Sequence, residues 1–464
     1  MRSITYIAMT IMLTTMSCIT KTDNSTNGDA SCEVRLITLD PGHFHAALIQ
    51  KISYPNVCKD VYVYAPEGED LQEHLKRIEG YNMRDDSPTS WNEIIYTGPD
   101  FFEKLLAEKK GNVMITAGNN GKKAKFLKAA LSAGLNVLAD KPMAINVDNF
   151  RTLQECFEIA NRKGVLLYDI MTERFEITTI LQKEFSLIPE VYGKQQTGTP
   201  DEPGIIKESV HHFLKTVSGS ALKRPMWFFD IEQQGAGVVD VTTHLVDLVQ
   251  WECFPKQIID YTKDVELVDA NIWATSISNS EFEKVTGYAF FPEFLKKDVR
   301  NDVLWVYSNG NITFKINNVY AKVSVEWNYT YPEGGGDTHY SVMRGSKSNL
   351  IIEQGKEQNF KPVLTINSTK GIDPVTFEKN LIEALKTITI KYPGVTIIQM
   401  DTDKWKVEIP EKYHNGHEAH FGQVTENFLQ YLFEGSLPDW EIPNMISKYY
   451  ITTNALELAK NKLK

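Results

Sequence analysis

The feature that most constrains the fold is a regular alternation of short apolar segments with amphipathic segments between residues 34 and 168. Each apolar segment has the length of a buried strand, and the segments between them have the spacing of a helix face. This alternation predicts a doubly wound parallel sheet, which binds ligands beyond the carboxyl ends of its strands. We assign it to a domain over residues 32–172. The predicted strands are 34–39, 60–65, 93–96, 112–117, 136–139 and 165–168, and the predicted helices are 43–51, 71–78, 101–108, 122–133 and 149–163.

The remainder of the chain, residues 173–464, has a different pattern. Several segments tend to alternate apolar and polar residues, and most carry aromatic side chains, which predicts a mainly antiparallel sheet. The fold class is therefore α/β, with two domains. The predicted strands are 285–291, 303–307, 312–316, 321–329 and 350–353, with a turn at Ser308-Asn309-Gly310 and a last helix over 446–460.

Composition excludes several classes of protein. The chain has 464 residues, of which 42% are hydrophobic, enough for a large core and unlike a disordered chain. Its net charge of −11 makes it a poor partner for nucleic acid, whose phosphates repel an acidic surface. No apolar run after the first 20 residues is long enough to span a bilayer.

The N-terminus has the pattern of an export signal. Arg2 precedes an apolar run over 4–16, and Ser17-Cys18 follows. The segment resembles a bacterial lipoprotein signal, in which Cys18 is lipidated, although Thr15 stands where such signals favour Leu. An ordinary signal peptide that is cut elsewhere is the alternative. We expect an exported, periplasmic or outer-membrane-anchored lipoprotein of a Gram-negative bacterium, with a signal over 1–18 and a flexible tether over 19–31.

Export affects how the cysteines are interpreted. Cys32 and Cys58 precede two predicted strands and are candidates for a disulfide in an oxidising compartment. Free thiols are the alternative. No Cys-x-x-Cys pair indicates a thiolate metal site.

Asp140-Lys141-Pro142 follows the fifth predicted strand, at the ligand edge of the sheet. A lysine in this place can stabilise negative charge on a substrate oxygen. An ordinary surface turn is the alternative.

A glycine-rich segment leads from Gly235 and Gly237 into a predicted helix with Asp240, His244 and Asp247. Asp240 and His244 are four residues apart and share a helix face. A histidine beside a carboxylate is suited to acid–base catalysis, because the carboxylate orients the ring and tunes its pKa. A core histidine with Asp240 as a helix cap is the alternative.

In combination, these motifs resemble the Gfo/Idh/MocA family of glucose–fructose oxidoreductases and inositol dehydrogenases. The helix over 122–133 and the Gly134-Leu135-Asn136 that follows it are also typical, and the usual Glu-Lys-Pro is here Asp-Lys-Pro. The resemblance implies a Rossmann domain that holds a nicotinamide cofactor. It also implies a C-terminal α/β domain with a large open sheet that binds a sugar or polyol and pairs subunits into a homodimer or homotetramer.

The resemblance also implies roles for individual residues. Lys141 would bond to the substrate hydroxyl, His244 would take its proton, and Asp240 would orient the alcohol or His244. Arg174 matches a family position near the domain junction, and a structural salt bridge is its alternative. Apart from the resemblance, His211, His212 and Lys215 lie in a polar segment before the Asp240 helix and are expected to contact sugar hydroxyls, with a half-exposed strand or loop as the alternative.

The dinucleotide loop departs from the family pattern. Ile37 and Leu39 stand at the earlier glycines of the G-x-G-x-x-G fingerprint, and only Gly42 remains. Pyrophosphate binding is either rebuilt around Gly42, His43 and Phe44 or weakened. Glu67 is placed to bind a ribose hydroxyl, which favours NAD over NADP. The expected cofactor residues are Asp40, Pro41, Gly42, His43, Phe44, Glu67, Asn119, Asn120 and Asp140.

We therefore expect an NAD-dependent oxidoreductase that interconverts a ring hydroxyl and a ketone on a sugar or glycoside. Export favours a tightly held cofactor that is recycled between two substrates. The alternatives are NAD-assisted glycoside cleavage and a non-catalytic sugar-binding lipoprotein. A metal-dependent hydrolase is disfavoured, since the three-residue spacing of His414, His417 and His420 rotates them around a helix, and no metal is expected.

Overall fold

The first half of the chain forms a six-stranded parallel sheet in the order β3-β2-β1-β4-β5-β6. The structure is a computed structural model that describes residues 32–217, 220–332 and 334–464. The predicted parallel sheet is confirmed, and strand β1 is buried along its whole length, as expected for a central strand. The strands are β1 (Leu36–Leu39), β2 (Asp60–Tyr64), β3 (Asn92–Tyr96), β4 (Val113–Thr116), β5 (Asn136–Asp140) and β6 (Leu167–Ile170).

Helices connect these strands: α1 (His45–Leu48), α2 (Glu69–Met83), α3 (Phe101–Glu108), α4 (Asn120–Ser132) and α5 (Val147–Lys163). Helix α1 is shorter than the predicted 43–51. The Tyr54 hydroxyl donates a hydrogen bond to the Ile49 carbonyl at 2.6 Å, which satisfies that carbonyl outside a helix. Helix α5 begins with the Asn146 side chain as its cap and ends at Gly164, whose φ is 64°.

The second half forms a ten-stranded sheet, whose main path runs β10-β12-β13-β7-β14-β15-β16-β18-β17. It is mainly antiparallel, as predicted, but β7 pairs with β13 in parallel. The strands are β7 (Ile205–His212), β8 (Thr216–Val217), β9 (Ser220–Ala221), β10 (Val265–Ser278), β11 (Val299–Arg300), β12 (Val303–Ile316), β13 (Val319–Asn328), β14 (Thr338–Arg344), β15 (Ser348–Gln354), β16 (Val363–Ser368), β17 (Thr396–Asp401) and β18 (Lys404–Glu408), of which β8 and β9 form a separate hairpin.

Six helices accompany this sheet: α6 (Ile177–Ser186), α7 (Thr242–Cys253), α8 (Asn279–Thr286), α9 (Pro374–Lys391), α10 (His417–Glu434) and α11 (Glu441–Leu463). Helices α10 and α11 return to the first half, because Phe421, Phe428 and Tyr449 lie in the core around the parallel sheet. Within the described parts of the chain, no helix combines the length and the apolar character needed to cross a membrane.

Two local predictions are wrong. Residues 285–291 do not form the predicted strand, because this segment begins inside helix α8. Ser278 and Glu281 form a capping box at the start of that helix. The turn predicted at 308–310 lies inside strand β12. Gly310 is needed there for close packing, since a Cβ on it would lie 2.4 Å from the Val238 side chain.

The export signal, Cys18 and the tether lie outside the described residues. Cys32 and Cys58 do form a disulfide, which ties the beginning of the described chain to the segment before β2. Cys156 and Cys253 are free thiols, one buried and one half-buried.

Candidate active site

Lys141 and Asp240 meet at the carboxyl edge of the parallel sheet. The Lys141 ammonium donates a hydrogen bond to Asp240 Oδ1 at 2.6 Å, and Gln234 Nε2 donates to Asp240 Oδ2 at 3.1 Å. Lys141 follows β5, whereas Asp240 lies in the turn before α7. The two halves of the chain are therefore joined by a buried ion pair at the point where the sequence predicted chemistry.

His244 lies in the first turn of α7 and lines the same cavity as Lys141 and Asp240. Burial, together with the positive charge of Lys141, lowers the pKa of His244 well below its ordinary value. Its Nδ1 is buried and has no hydrogen-bond partner among the described residues. The imidazole is therefore neutral and able to accept a proton. We call Lys141, Asp240 and His244 the reaction wall.

The reaction wall borders a cavity of about 880 Å³ that both halves of the chain enclose. The cavity also carries a second charged cluster, in which Asp337 accepts hydrogen bonds from Lys215 at 2.9 Å and from the buried His212 at 2.8 Å. His211 Nδ1 lies 3.4 Å from the same carboxylate. Burial opposes ionisation, but the bonds from His211 and His212 hold the pKa of Asp337 below its usual range.

His211 and Lys215 line the cavity, as expected of substrate-binding residues, whereas His212 lies behind the lining. Asp337 also lines the cavity and was missed by the sequence analysis. It follows three glycines in a loop without a recognisable motif, so only the fold brings it to β7.

Glu173 is a further acid of the cavity that the sequence did not indicate. Burial, and secondarily the charge of Glu176, raises the pKa of Glu173 to about 7. Its carboxylate lies 3.9 Å from His417 Nε2. The His417 side chain is 47% exposed and that of Glu173 36% exposed, so solvent weakens this contact.

Arg174 does not line the cavity. Its guanidinium donates two hydrogen bonds to Asp247, at 2.6 and 2.7 Å, and a third to Glu441 at 2.8 Å. Lys448 donates to Asp247 at 2.8 Å from helix α11. These buried contacts favour the structural salt bridge over a substrate contact.

A second cleft, of about 570 Å³, runs along the carboxyl ends of β1 and β2. The predicted cofactor residues that line it are Asp40, Pro41, Gly42, His43, Phe44, Glu67 and Asn119. His43, Phe44, Arg224 and Phe228 line both this cleft and the larger cavity. The two spaces are therefore neighbours that share part of their lining.

Two predicted cofactor residues lie behind this cleft. The Asn120 side chain is buried and donates a hydrogen bond to the Gln234 carbonyl at 2.8 Å. Asp140 Oδ2 lies 3.0 Å from His45 Nδ1. Both side chains bond to other residues of the site, and neither is placed to contact a ligand in the cleft.

The loop over 40–44, which we call the β1 loop, is held by side chains instead of a run of glycines. A Cβ on Gly42 would lie 3.0 Å from Asp70 Oδ2 and 3.1 Å from the Trp227 ring. The Lys122 ammonium lies 3.4 Å from Asp40, and Trp227 Nε1 donates to Asp70 at 3.0 Å. Burial raises the pKa of Asp70. Lys122 and Arg224 line this cleft, as does Arg77, whose guanidinium lies 5.8 Å from the centre of the Phe44 ring, so the donor set is compatible with a dinucleotide.

Comparisons with known proteins agree with this architecture. The family model described as "Oxidoreductase family, NAD-binding Rossmann fold" matches residues 61–169, and the model described as "Putative oxidoreductase C terminal domain" matches residues 181–460. The comparison with curated proteins returns no match.

Among solved structures, a "putative oxidoreductase" from Parabacteroides merdae is 64% identical, with a TM-score of 0.92, over 93% of this chain and 99% of that one. Levoglucosan dehydrogenase in complex with NADH and levoglucosan is 11% identical, with a TM-score of 0.57, over 92% of this chain and 98% of that one. A 3-ketoreductase from Actinomadura kijaniata in complex with NADP is 13% identical, with a TM-score of 0.53, over 92% and 97%. The last two share the fold.

Proposed function

Since the chain belongs to the Gfo/Idh/MocA family of oxidoreductases and has its NAD-binding Rossmann fold, we propose that it oxidises a ring hydroxyl of a sugar or glycoside to a ketone, or catalyses the reverse reaction. The observation that carries this proposal is the reaction wall. A buried ammonium, a carboxylate and a neutral imidazole lie together in a cavity large enough for a sugar.

Each residue of the reaction wall has a distinct task. Lys141 donates a hydrogen bond to the substrate oxygen and lowers the pKa of that hydroxyl. Asp240 fixes the Lys141 ammonium in position, and its own second oxygen is held by Gln234. The neutral ring of His244 accepts the hydroxyl proton.

The cofactor would be held by the cleft beside the β1 loop. Glu67 would bind the ribose hydroxyls, and Lys122 and Arg224 would face the pyrophosphate. When bound, NAD supplies the acceptor for the hydride of the carbinol carbon. In the same cavity, His211, Lys215 and Asp337 would hold the remaining sugar hydroxyls.

The test uses protein purified without added cofactor. Denaturation is expected to release one equivalent of NAD, identified by absorbance and mass, and the protein is expected to convert glycosides to keto products. His244→Gln should retain NAD and lose turnover, whereas the control His414→Gln, at an exposed position, should retain both. A protein that holds no cofactor and ignores added NAD and NADP would contradict the proposal and favour a sugar-binding protein.

Glycoside cleavage is a second candidate because of Glu173. A carboxylate whose pKa is about 7 is suited to remove the proton next to a newly formed ketone. The C–H electrons would then form a double bond while the glycosidic oxygen leaves with its aglycone. Product analysis distinguishes the two reactions: cleavage releases the aglycone, and simple oxidation leaves the keto-glycoside intact.

We also propose that the protein is exported and anchored through a lipid on Cys18, and that it forms a homodimer or homotetramer. The Cys32–Cys58 disulfide supports export, since structural disulfides persist in oxidising compartments. Mass analysis of the mature N-terminus and of a Cys18→Ala variant tests the lipid. Light scattering on purified protein tests the oligomer, and a monomer would contradict that part.

A further inference from the structure

The β1 loop and helix α1 bring two imidazoles to the carboxylate at the end of β5. One ligand atom from each of His43, His45 and Asp140 lies within 4.8 Å of the other two. Asp140 Oδ2 is 3.0 Å from His45 Nδ1 and 3.7 Å from His43 Nδ1. His45 and Asp140 are buried, and His43 is mostly so.

These separations are close to those of a metal centre. Ligand atoms at about 2.1 Å from a tetrahedral ion are about 3.4 Å apart. The two distances to Asp140 lie on either side of that value, and the third pair lies within 4.8 Å. Two histidines and one carboxylate are the protein ligands of known zinc and iron sites that keep further positions open.

The second oxygen of Asp140 provides an independent observation. Asp140 Oδ1 is buried and has no hydrogen-bond partner among the described residues. Neither neighbouring ammonium is hydrogen-bonded to this carboxylate: Lys141 bonds to Asp240, and Lys123 bonds to the Asp140 backbone carbonyl at 2.6 Å. A buried carboxylate oxygen without a donor is costly, and a bound cation would compensate for it.

We propose that His43, His45 and Asp140 bind one divalent first-row transition-metal ion. His43 and His45 both line the large cavity, so the remaining coordination positions take water or a substrate oxygen from that side. The ion would tie the β1 loop to the end of β5, directly before Lys141. It would thereby stabilise a loop that has lost most glycines of its fingerprint.

The test measures metal binding and needs neither NAD nor a sugar. Protein stripped with a chelator is titrated with Zn²⁺ by calorimetry and with Co²⁺ by absorption spectroscopy, which reports nitrogen and oxygen ligands. The wild type is expected to bind one equivalent. His43→Ala should bind at least about tenfold more weakly, because it removes one ligand. His339→Ala removes another histidine of the cavity and should bind like the wild type.

His43→Ala leaves the hydrogen bond between His45 and Asp140 in place, and circular dichroism checks its fold. Asp140→Asn provides a second variant that removes the charge and keeps the shape. A wild type that binds neither ion would overturn the proposal, and so would variants that all bind alike. Because the readout is metal affinity, failure of the proposed oxidoreductase activity would leave this result intact.

Discussion

The reaction wall and the β1 loop lie at the same edge of one sheet, yet they keep the family pattern to very different degrees. At the reaction wall, the motif residues Lys141, Asp240 and His244 line one cavity, and Gln234 completes the bonding of Asp240. In the β1 loop, one glycine of the fingerprint remains, and contacts from Asp70, Trp227 and Lys122 surround the backbone.

The difference is that side chains surround the backbone of the β1 loop, whereas the reaction wall depends on particular charged groups. A glycine loop serves to let a backbone approach an anion, and other packing can achieve the same approach. An ammonium that binds an alkoxide-like oxygen has no apolar substitute. Substitutions in the two regions should therefore differ in what they impair.

The largest effect is expected for Lys141→Met in the reaction wall. It removes the donor to the substrate oxygen and leaves Asp240 buried without its ion-pair partner. We expect kcat/KM for the sugar to fall by about 10³-fold, with bound NAD retained. Lys128→Met is the control, because Lys128 forms an exposed ion pair with Glu155. Wild-type kcat/KM in the Lys141 variant would contradict the assigned role.

Arg174→Met should act on stability. The substitution leaves Asp247 and Glu441 buried without the guanidinium that joins them, and the free energy of unfolding should fall by about 3–5 kcal/mol. Arg151→Met, at an exposed pair with Asp148, should change it by less than about 0.5 kcal/mol. Denaturant unfolding measures both. If the Arg174 variant unfolded like the control and lost sugar affinity, the substrate role left open by the sequence would be restored.

The buried histidines predict a loss of stability in acid. Burial lowers the pKa of His339 to about 3 and of His420 to about 4, and it also lowers the pKa of His244. The unfolded chain therefore binds more protons below about pH 6.5, so stability falls as the pH falls, by at most about 1.4 kcal/mol per pH unit for each such histidine. Unfolding midpoints measured from pH 7 to pH 4 check this. Replacing His420 with Gln should flatten the slope, and an unchanged slope would contradict the assignment.

The smallest effect is expected for Gly42→Ala in the β1 loop. The added methyl would press on Asp70 and Trp227, which must shift by a few tenths of an ångström. We expect about tenfold weaker NAD binding, or 1.4 kcal/mol, with kcat at saturating NAD unchanged. Gly80→Ala adds a methyl into open space on helix α2 and should leave NAD binding unaltered. Equal affinities of the two variants would mean that the β1 loop does not approach the cofactor.

The predicted parallel sheet is confirmed because its signal is local. Strands that are buried on both faces, such as β4, are continuous apolar runs, which the sequence shows without knowledge of their neighbours in the sheet. The strands of the mixed sheet are harder to predict. Residues 308–310 have the composition of a turn, and only the packing of Val238 on Gly310 explains why they continue a strand.

Residues of the candidate active site could be predicted only where a motif lies next to the end of a strand or helix. Lys141 follows β5 directly, so its position at the sheet edge follows from the chain. Asp337 was missed because its partners on β7 are more than 120 residues away, as its bond to His212 shows. His45 and Asp140 are likewise 95 residues apart, and no local spacing connects them.

The sequence by itself determined the α/β class, the order of strands and helices in the first domain, and the family to which the chain belongs. These depend on periodicity and short motifs, which are properties of neighbouring residues. The tertiary structure decided that Cys32 pairs with Cys58, that Arg174 joins Asp247 and Glu441, and that two histidines approach Asp140. Contacts of this kind depend on how distant segments fold together, because burial and charge pairing are set by the whole assembly.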